Sequence, residues 1–174
     1  MSALSSVFIN YRRRDEAYAA ALLDEKLSEH FGSDNIFRAS RSIAAGADWG
    51  ISIIRAIERC RVMVVLIGAN WTSAFTDGSH GAEDWVRREI VEAFKRDVPV
   101  IPILLSGVTR LAEDDVPPDV SWIARSQYLR FDYRNFGQDS HRIAYELRRV
   151  VPDLPTSRSR GALARLRSRL SHGS

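Results

Sequence analysis

Apolar residues recur along the chain in one order, a short run followed by a helical stripe, five times over. Residues 6–11 form the first run and read as a buried strand. Asp15 and Glu16 then open a helix, where acids favour the N-terminal dipole. Ala20, Leu23, Leu27 and Phe31 mark its inner face, and Gly32, able to take a positive φ, ends it. Residues 35–39 give a second, shorter strand. Residues 40–50 are polar or small and read as a loop. A helix follows over about 51–59, with Ile53, Ile54 and Ile57 inward. Residues 61–68 are the clearest strand, apolar on both faces as a strand covered by helices on both sides must be.

A long loop with Gly78 and Gly81 leads from Ala69 to Asp84, and loops of that length inside a compact domain are often functional. The stretch 84–94 reads as a helix. Val86, Ile90, Ala93 and Phe94 share one face, suited to burial against a sheet. Trp85 and Glu89, four apart, share a different stripe. A glutamate on a surface helix is ordinarily solvated, although a lone carboxylate beneath an indole can serve a cation. Residues 98–105 read as a strand in spite of Pro99 and Pro102, which remove ladder donors. One helical turn is expected near 119–125. Residues 128–133 alternate apolar and polar, as an edge strand does. A last helix is expected over about 140–150, with Ile143, Leu147 and Val150 inward. The β-α order predicts a five-stranded parallel sheet of the flavodoxin-like α/β class, order 2-1-3-4-5, with helices on both faces.

Composition adds bounds. The 174 residues, 45% hydrophobic and 27% charged, suit one packed domain over residues 1–154 and a short extra segment, 155–174. No apolar run approaches the ~20 residues needed to cross a bilayer. The first six residues do not resemble a signal peptide. Cys60 is the only cysteine, so no intrachain disulfide is possible and a cytoplasmic location is the expectation. The formal charge of +3 misleads, because five arginines and no acid lie in the last twenty residues; without them the charge is −2. The folded domain is therefore not basic, and nucleic acid is not an expected partner of it. In the tail, Leu163, Leu166 and Leu170 have helical spacing among arginines. That segment reads either as a basic amphipathic helix or as a linker to a further sensor domain.

Several chemistries are excluded by their missing motifs. No G-x-G-x-x-G follows the first strand, and no P-loop sequence or G-x-S-x-G turn exists. The four histidines are scattered, so no metal site is expected. A phosphoacceptor domain of this fold needs carboxylates after strands one and three, where this chain has Asn10-Tyr11 and Ile67-Gly68. In open α/β sheets, ligands sit beyond the carboxyl ends of the strands where strand order reverses. Here that point lies between strands one and three, beside Asn10 to Arg13 and the start of the helix carrying Trp85 and Glu89.

Four stretches together resemble a Toll/interleukin-1 receptor (TIR) domain of the NAD-consuming kind found in bacteria and in axon degeneration. Residues 7–13, VFINYRR, are similar to the family's first box, V-F-I-S-Y-R-R. The loop with Ile43 and Gly46 resembles the BB loop. Residues 84–90, DWVRREI, resemble the D-W-V-x-x-E-I of catalytic members, and residues 100–103, VIPI, the fourth strand. The resemblance implies an NAD+ nucleosidase acting in bacterial defence or virulence signalling, with NAD+ as substrate and no cofactor. It implies Glu89 as catalytic residue, Trp85 beside the ligand, and Asn10, Tyr11, Arg12 and Arg13 bordering the pocket. It implies self-association through TIR–TIR contacts involving Ile43, Gly46 and Trp49. The alternative it allows is a non-catalytic TIR–TIR scaffold. The chain departs from the family at Asn10, where Ser is usual, and at Ala39, where many members carry Asp. It also departs at Arg41 and Trp49, where acids or Phe are frequent. Arg12 or Arg13 is expected to contact the substrate diphosphate, to stand solvated, or to pair with Asp15 and Glu16.

Overall fold

The computed structural model describes residues 6–76 and 84–157. Five parallel strands form one sheet in the order β2-β1-β3-β4-β5: β1 Val7–Asn10, β2 Ile36–Phe37, β3 Val62–Ile67, β4 Val100–Leu105 and β5 Leu129–Phe131. The helices between them are α1 Ala17–Phe31, α2 Ala39–Ser42, α3 Trp49–Arg59, α4 Trp85–Lys95 and α5 Phe136–Val150.

Alternation along each strand sends neighbouring side chains to opposite faces, and two cores result. Val62, Val64 and Leu66 of β3 pack with Leu23 and Leu27 of α1 and Ile143 and Leu147 of α5. Met63, Val65 and Ile67 pack with Ile53 and Ile57 of α3 and Val86, Ile90 and Ala93 of α4. Pro102 lies inside β4, opposite Val65. Gly32 and Gly46 both take a positive φ, +85° and +82°, which a side chain would strain.

The structure corrects several expectations. Phe94 does not point into the sheet: it is 56% exposed and stacks on Trp122 at 5.0 Å. Val150 is exposed as well: each side chain falls on the outer face of its helix, while Ala93 and Val151 beside them are buried. The segment 40–50 is only partly loop, because α2 begins at Ala39 and α3 at Trp49. The second strand is two residues long, and α5 begins four residues before its expected start. Asp15 and Glu16 precede α1 instead of forming its first turn. Glu16 folds back and accepts the Arg12 backbone N–H at 2.8 Å. The tail leucines, Gly78, Gly81 and His80 lie outside the described residues. Among the described residues no helix is long and apolar enough to cross a membrane.

Candidate functional site

The sheet order brings the ends of β1 and β3 side by side, and α4 starts over them. Asp84 is the N-cap of α4: its carboxylate accepts the backbone N–H of Val86 at 3.1 Å and of Arg87 at 3.4 Å. That carboxylate also takes both forks of the Arg12 guanidinium, at 3.1 and 2.8 Å. Arg12 is almost fully buried and lies over the Phe75 ring at 4.6 Å. Arg12, for which the sequence leaves solvation, the diphosphate or Asp15 and Glu16 as alternatives, thus makes a bidentate bridge to Asp84 across 72 positions of sequence. Its guanidinium is committed to the start of α4.

One turn along α4, Glu89 is 7% exposed. The Asn10 side chain, fully buried in β1, donates Nδ2–H to Glu89 Oε2 at 2.7 Å and to the Val86 carbonyl at 3.2 Å. Burial pushes the Glu89 carboxyl up to about 8, against the pull of the Asn10 bond, with Asp84 adding to the rise.

Glu89 and Trp85 line a cavity of about 360 Å³ with Tyr11, Arg12, Arg13, Arg14, Ala39, Ser40 and Trp49. Trp85 meets Trp49 edge-on, ring centroids 4.7 Å apart. The Arg88 guanidinium lies over the Trp85 ring at 4.6 Å and belongs to a neighbouring cavity, which Trp85 also lines. Arg13 and Arg14 make no hydrogen bond or ion pair among the described residues and stand exposed at the rim. Tyr11 Oη bonds Ser40 Oγ at 3.1 Å across the mouth.

Of the residues singled out in the sequence, Glu89, Trp85, Tyr11, Arg12, Arg13 and Trp49 thus meet at one cavity. Asn10 stands behind Glu89, outside the cavity wall. Ile43 lines a different and larger cavity, about 570 Å³, between β2 and α3. That cavity holds Arg41, Arg55 and Arg59 but no buried carboxylate. Arg41 is anchored: it donates to the buried Asp24 at 2.7 and 2.8 Å and to the Ile36 carbonyl at 2.8 Å. Arg38 joins the same carboxylate at 2.8 Å, so α1 holds the start of the 39–48 segment. Among the described residues no group of three or more His, Cys, Asp or Glu could hold a metal ion.

Arg14, Ser40 and the Arg12–Asp84 bridge were not singled out in the sequence. One signal was available. Asp-Trp occurs twice, at 48–49 and 84–85, and each time the Asp caps a helix whose first residue is the Trp. The two helix starts face one another, which brings the indoles together.

Comparison with known proteins bears on the fold and the family. The chain matches the TIR domains of the activated Roq1 resistosome, which directly recognises the pathogen effector XopQ. That likeness has a TM-score of 0.60 at 15% identity, over 82% of this chain and 99% of that one. It also matches a metazoan TIR-STING receptor from C. gigas in complex with 2′,3′-cGAMP, with a TM-score of 0.53 at 19% identity, over 83% of this chain. The same receptor, in a structure described without that ligand, gives a TM-score of 0.51 at 19% identity over 81% of this chain. In both cases the match spans 40% of the receptor's own length. No curated protein sequence matches the chain. The family profile described as TIR domain matches residues 7–144, and the chain belongs to the TIR domain family.

Proposed function

We propose that this TIR domain cleaves NAD+ at the bond between nicotinamide and ribose, with Glu89 as its catalytic residue. TIR domains serve as NAD-cleaving enzymes or as scaffolds. The observation that favours the enzyme is a buried carboxylate lining a cavity whose wall includes two indoles in contact, Trp49 and Trp85. Nicotinamide departs from a pyridinium as a neutral base, taking the electrons of the broken bond. No general acid has to protonate it, so one carboxylate suffices. The ribose left behind is oxocarbenium-like, and Glu89 stabilises it by charge or by holding its hydroxyls. Water adds at the anomeric carbon and loses a proton, giving ADP-ribose; a ring nitrogen of the adenine in place of water gives a cyclic product. Arg13 and Arg14 meet the diphosphate, since Arg12 is committed to Asp84. Ala39 leaves that side of the mouth without a carboxylate.

Incubation of the purified chain with NAD+ at high protein concentration should release nicotinamide. Glu89→Ala should lower the rate by about a hundredfold or more. Because the carboxylate is the active form, kcat/KM should rise with pH through about 8. A wild-type protein that is inactive even when assembled, or an equally active variant, would remove the enzyme reading.

A second reading, compatible with the first, is self-association in immune signalling. Trp49 and Ile51, at the start of α3, are 45% and 52% exposed, and the Roq1 likeness is to a TIR domain within an assembly. Light scattering of wild type against Trp49→Ala tests it; a strictly monomeric wild type at high concentration counts against assembly.

A further inference from the structure

We infer that Asn10 is a positioning residue for Glu89: from inside β1 it fixes the orientation of the carboxylate and favours its ionised form. The inference rests on the reading of Glu89 as the catalytic residue, but its geometry stands apart from any assay.

The Val86 carbonyl can only accept a hydrogen bond, so the amide must turn its NH2 toward α4. That orientation sends the second N–H to Glu89 Oε2, at the short distance of 2.7 Å. Both amide hydrogens are then spent on one helix, and the carboxylate cannot turn without losing its donor. Asn10 is fully buried, so it touches no ligand itself. Its Oδ1 accepts no hydrogen bond among the described residues. A buried acceptor without a partner costs stability, and this one lies at the carboxyl end of β1, beside Glu89.

The other groups around Glu89 do not do this work. On α4 itself, Asp84 opposes ionisation and is already neutralised by Arg12 from the β1–α1 segment. Tyr11, Arg13 and Arg14 line the cavity from that segment, but no bond joins them to Glu89 among the described residues. From the α2–α3 side come only Ala39, Ser40 and Trp49, none of which titrates there. Asn10 is thus the one described donor bonded to this carboxylate. It stands where the TIR first box carries Ser, so a shorter donor at the same place is the natural conservative variant.

The test is a carbon-13 titration of side-chain carboxyls in the full chain labelled at glutamate. The Glu89 signal is assigned by its loss in Glu89→Gln. Asn10→Ala should raise the Glu89 midpoint by about one pH unit, and Asn10→Ser should fall between wild type and Ala. The acid limb of nicotinamide release should move by the same amount, with activity about tenfold lower at pH 7 and recovered at high pH. A Glu89 midpoint unmoved in Asn10→Ala, or a rate lowered equally at every pH, overturns the inference. If Asn10→Ala does not fold, the smaller rise in Asn10→Ser decides the matter in the same way. Should the wild type release no nicotinamide while the midpoint moves as stated, Asn10 keeps this role and the catalytic reading of Glu89 falls.

Discussion

Two buried glutamates lie close to the same strand ends, and they differ in one respect. Glu16 is 1% exposed and Glu89 7%. Glu16 takes a backbone N–H from Arg12 at 2.8 Å, and Glu89 takes a side-chain N–H from Asn10 at 2.7 Å. Burial pushes the first up to about 7 and the second up to about 8. Ionisation alone would mark both as functional candidates. What separates them is what lies in front of each carboxylate. Glu16 faces the Gly68 backbone, so closely that a Cβ placed there would sit 2.6 Å from its Oε1. Glu89 faces a cavity with aromatic walls and free arginines at the rim. A raised carboxyl pKa therefore reports burial, and open space beside it is what makes chemistry available.

Arg12 joins the two regions, and its removal should have the largest effect. Its backbone holds Glu16, while its guanidinium holds the cap of the helix that carries Glu89. Arg12→Ala leaves Asp84 beside a partly buried helix start without its partner. The expected loss is about 3–5 kcal/mol in urea unfolding. Arg13→Ala, at the exposed rim, should change stability by less than about 0.5 kcal/mol. If the two variants unfold alike, Arg12 is not the joint described.

How far the sequence carried the picture follows the range of each interaction. The strand order and the α4 stripe were legible, because alternation and helical spacing are local signals and the parallel β-α order leaves few topologies. The meeting of Glu89 with a crevice followed from that order. The Arg12–Asp84 bridge and the Trp49–Trp85 pair were not legible. They join positions far apart in sequence, where several arginines and tryptophans compete for one partner. Glu16 was misread for a related reason. An acid before a helix suits the dipole, but the close approach of Gly68 and the Arg12 N–H turn it back. Phe94 fits the helical stripe, yet Ala93 takes the buried place at that turn and Phe94 lies on the outer face against Trp122.

The next effect in size concerns pH. A carboxyl whose folded pKa lies above its unfolded value of about 4.3 binds a proton in the folded state that the unfolded chain has released. Its contribution is full at low pH and is lost as pH rises through the folded value. Stability should therefore fall from about pH 4.5 to about 8, by roughly 3 kcal/mol for Glu16 and roughly 5 kcal/mol for Glu89. Glu16→Gln and Glu89→Gln should each flatten that fall over their own window, ending near 7 and near 8. Only Glu89→Gln should abolish nicotinamide release. Equal loss of activity in both variants would erase the distinction between the two sites.

The smallest effect isolates the closed site. Gly68 follows β3, and a methyl group there meets Glu16 Oε1 at 2.6 Å, Cγ at 3.1 Å and Cδ at 3.3 Å. The end of a glutamate side chain usually swings aside at little cost. Here it is buried and its other oxygen holds the Arg12 N–H, so moving it breaks that bond. Gly68→Ala should cost about 1–2 kcal/mol. In a Glu16→Ala background the methyl has room, and the same substitution should cost a few tenths at most. The difference is a coupling energy of about 1 kcal/mol, measured as a double-mutant cycle in urea. Neither Gly68 nor Glu16 lines the Glu89 cavity, so nicotinamide release per folded molecule should stay within about twofold of wild type. A coupling near zero would mean that the Glu16 carboxylate already has space to move, and the contrast with Glu89 would then rest on chemistry instead of packing.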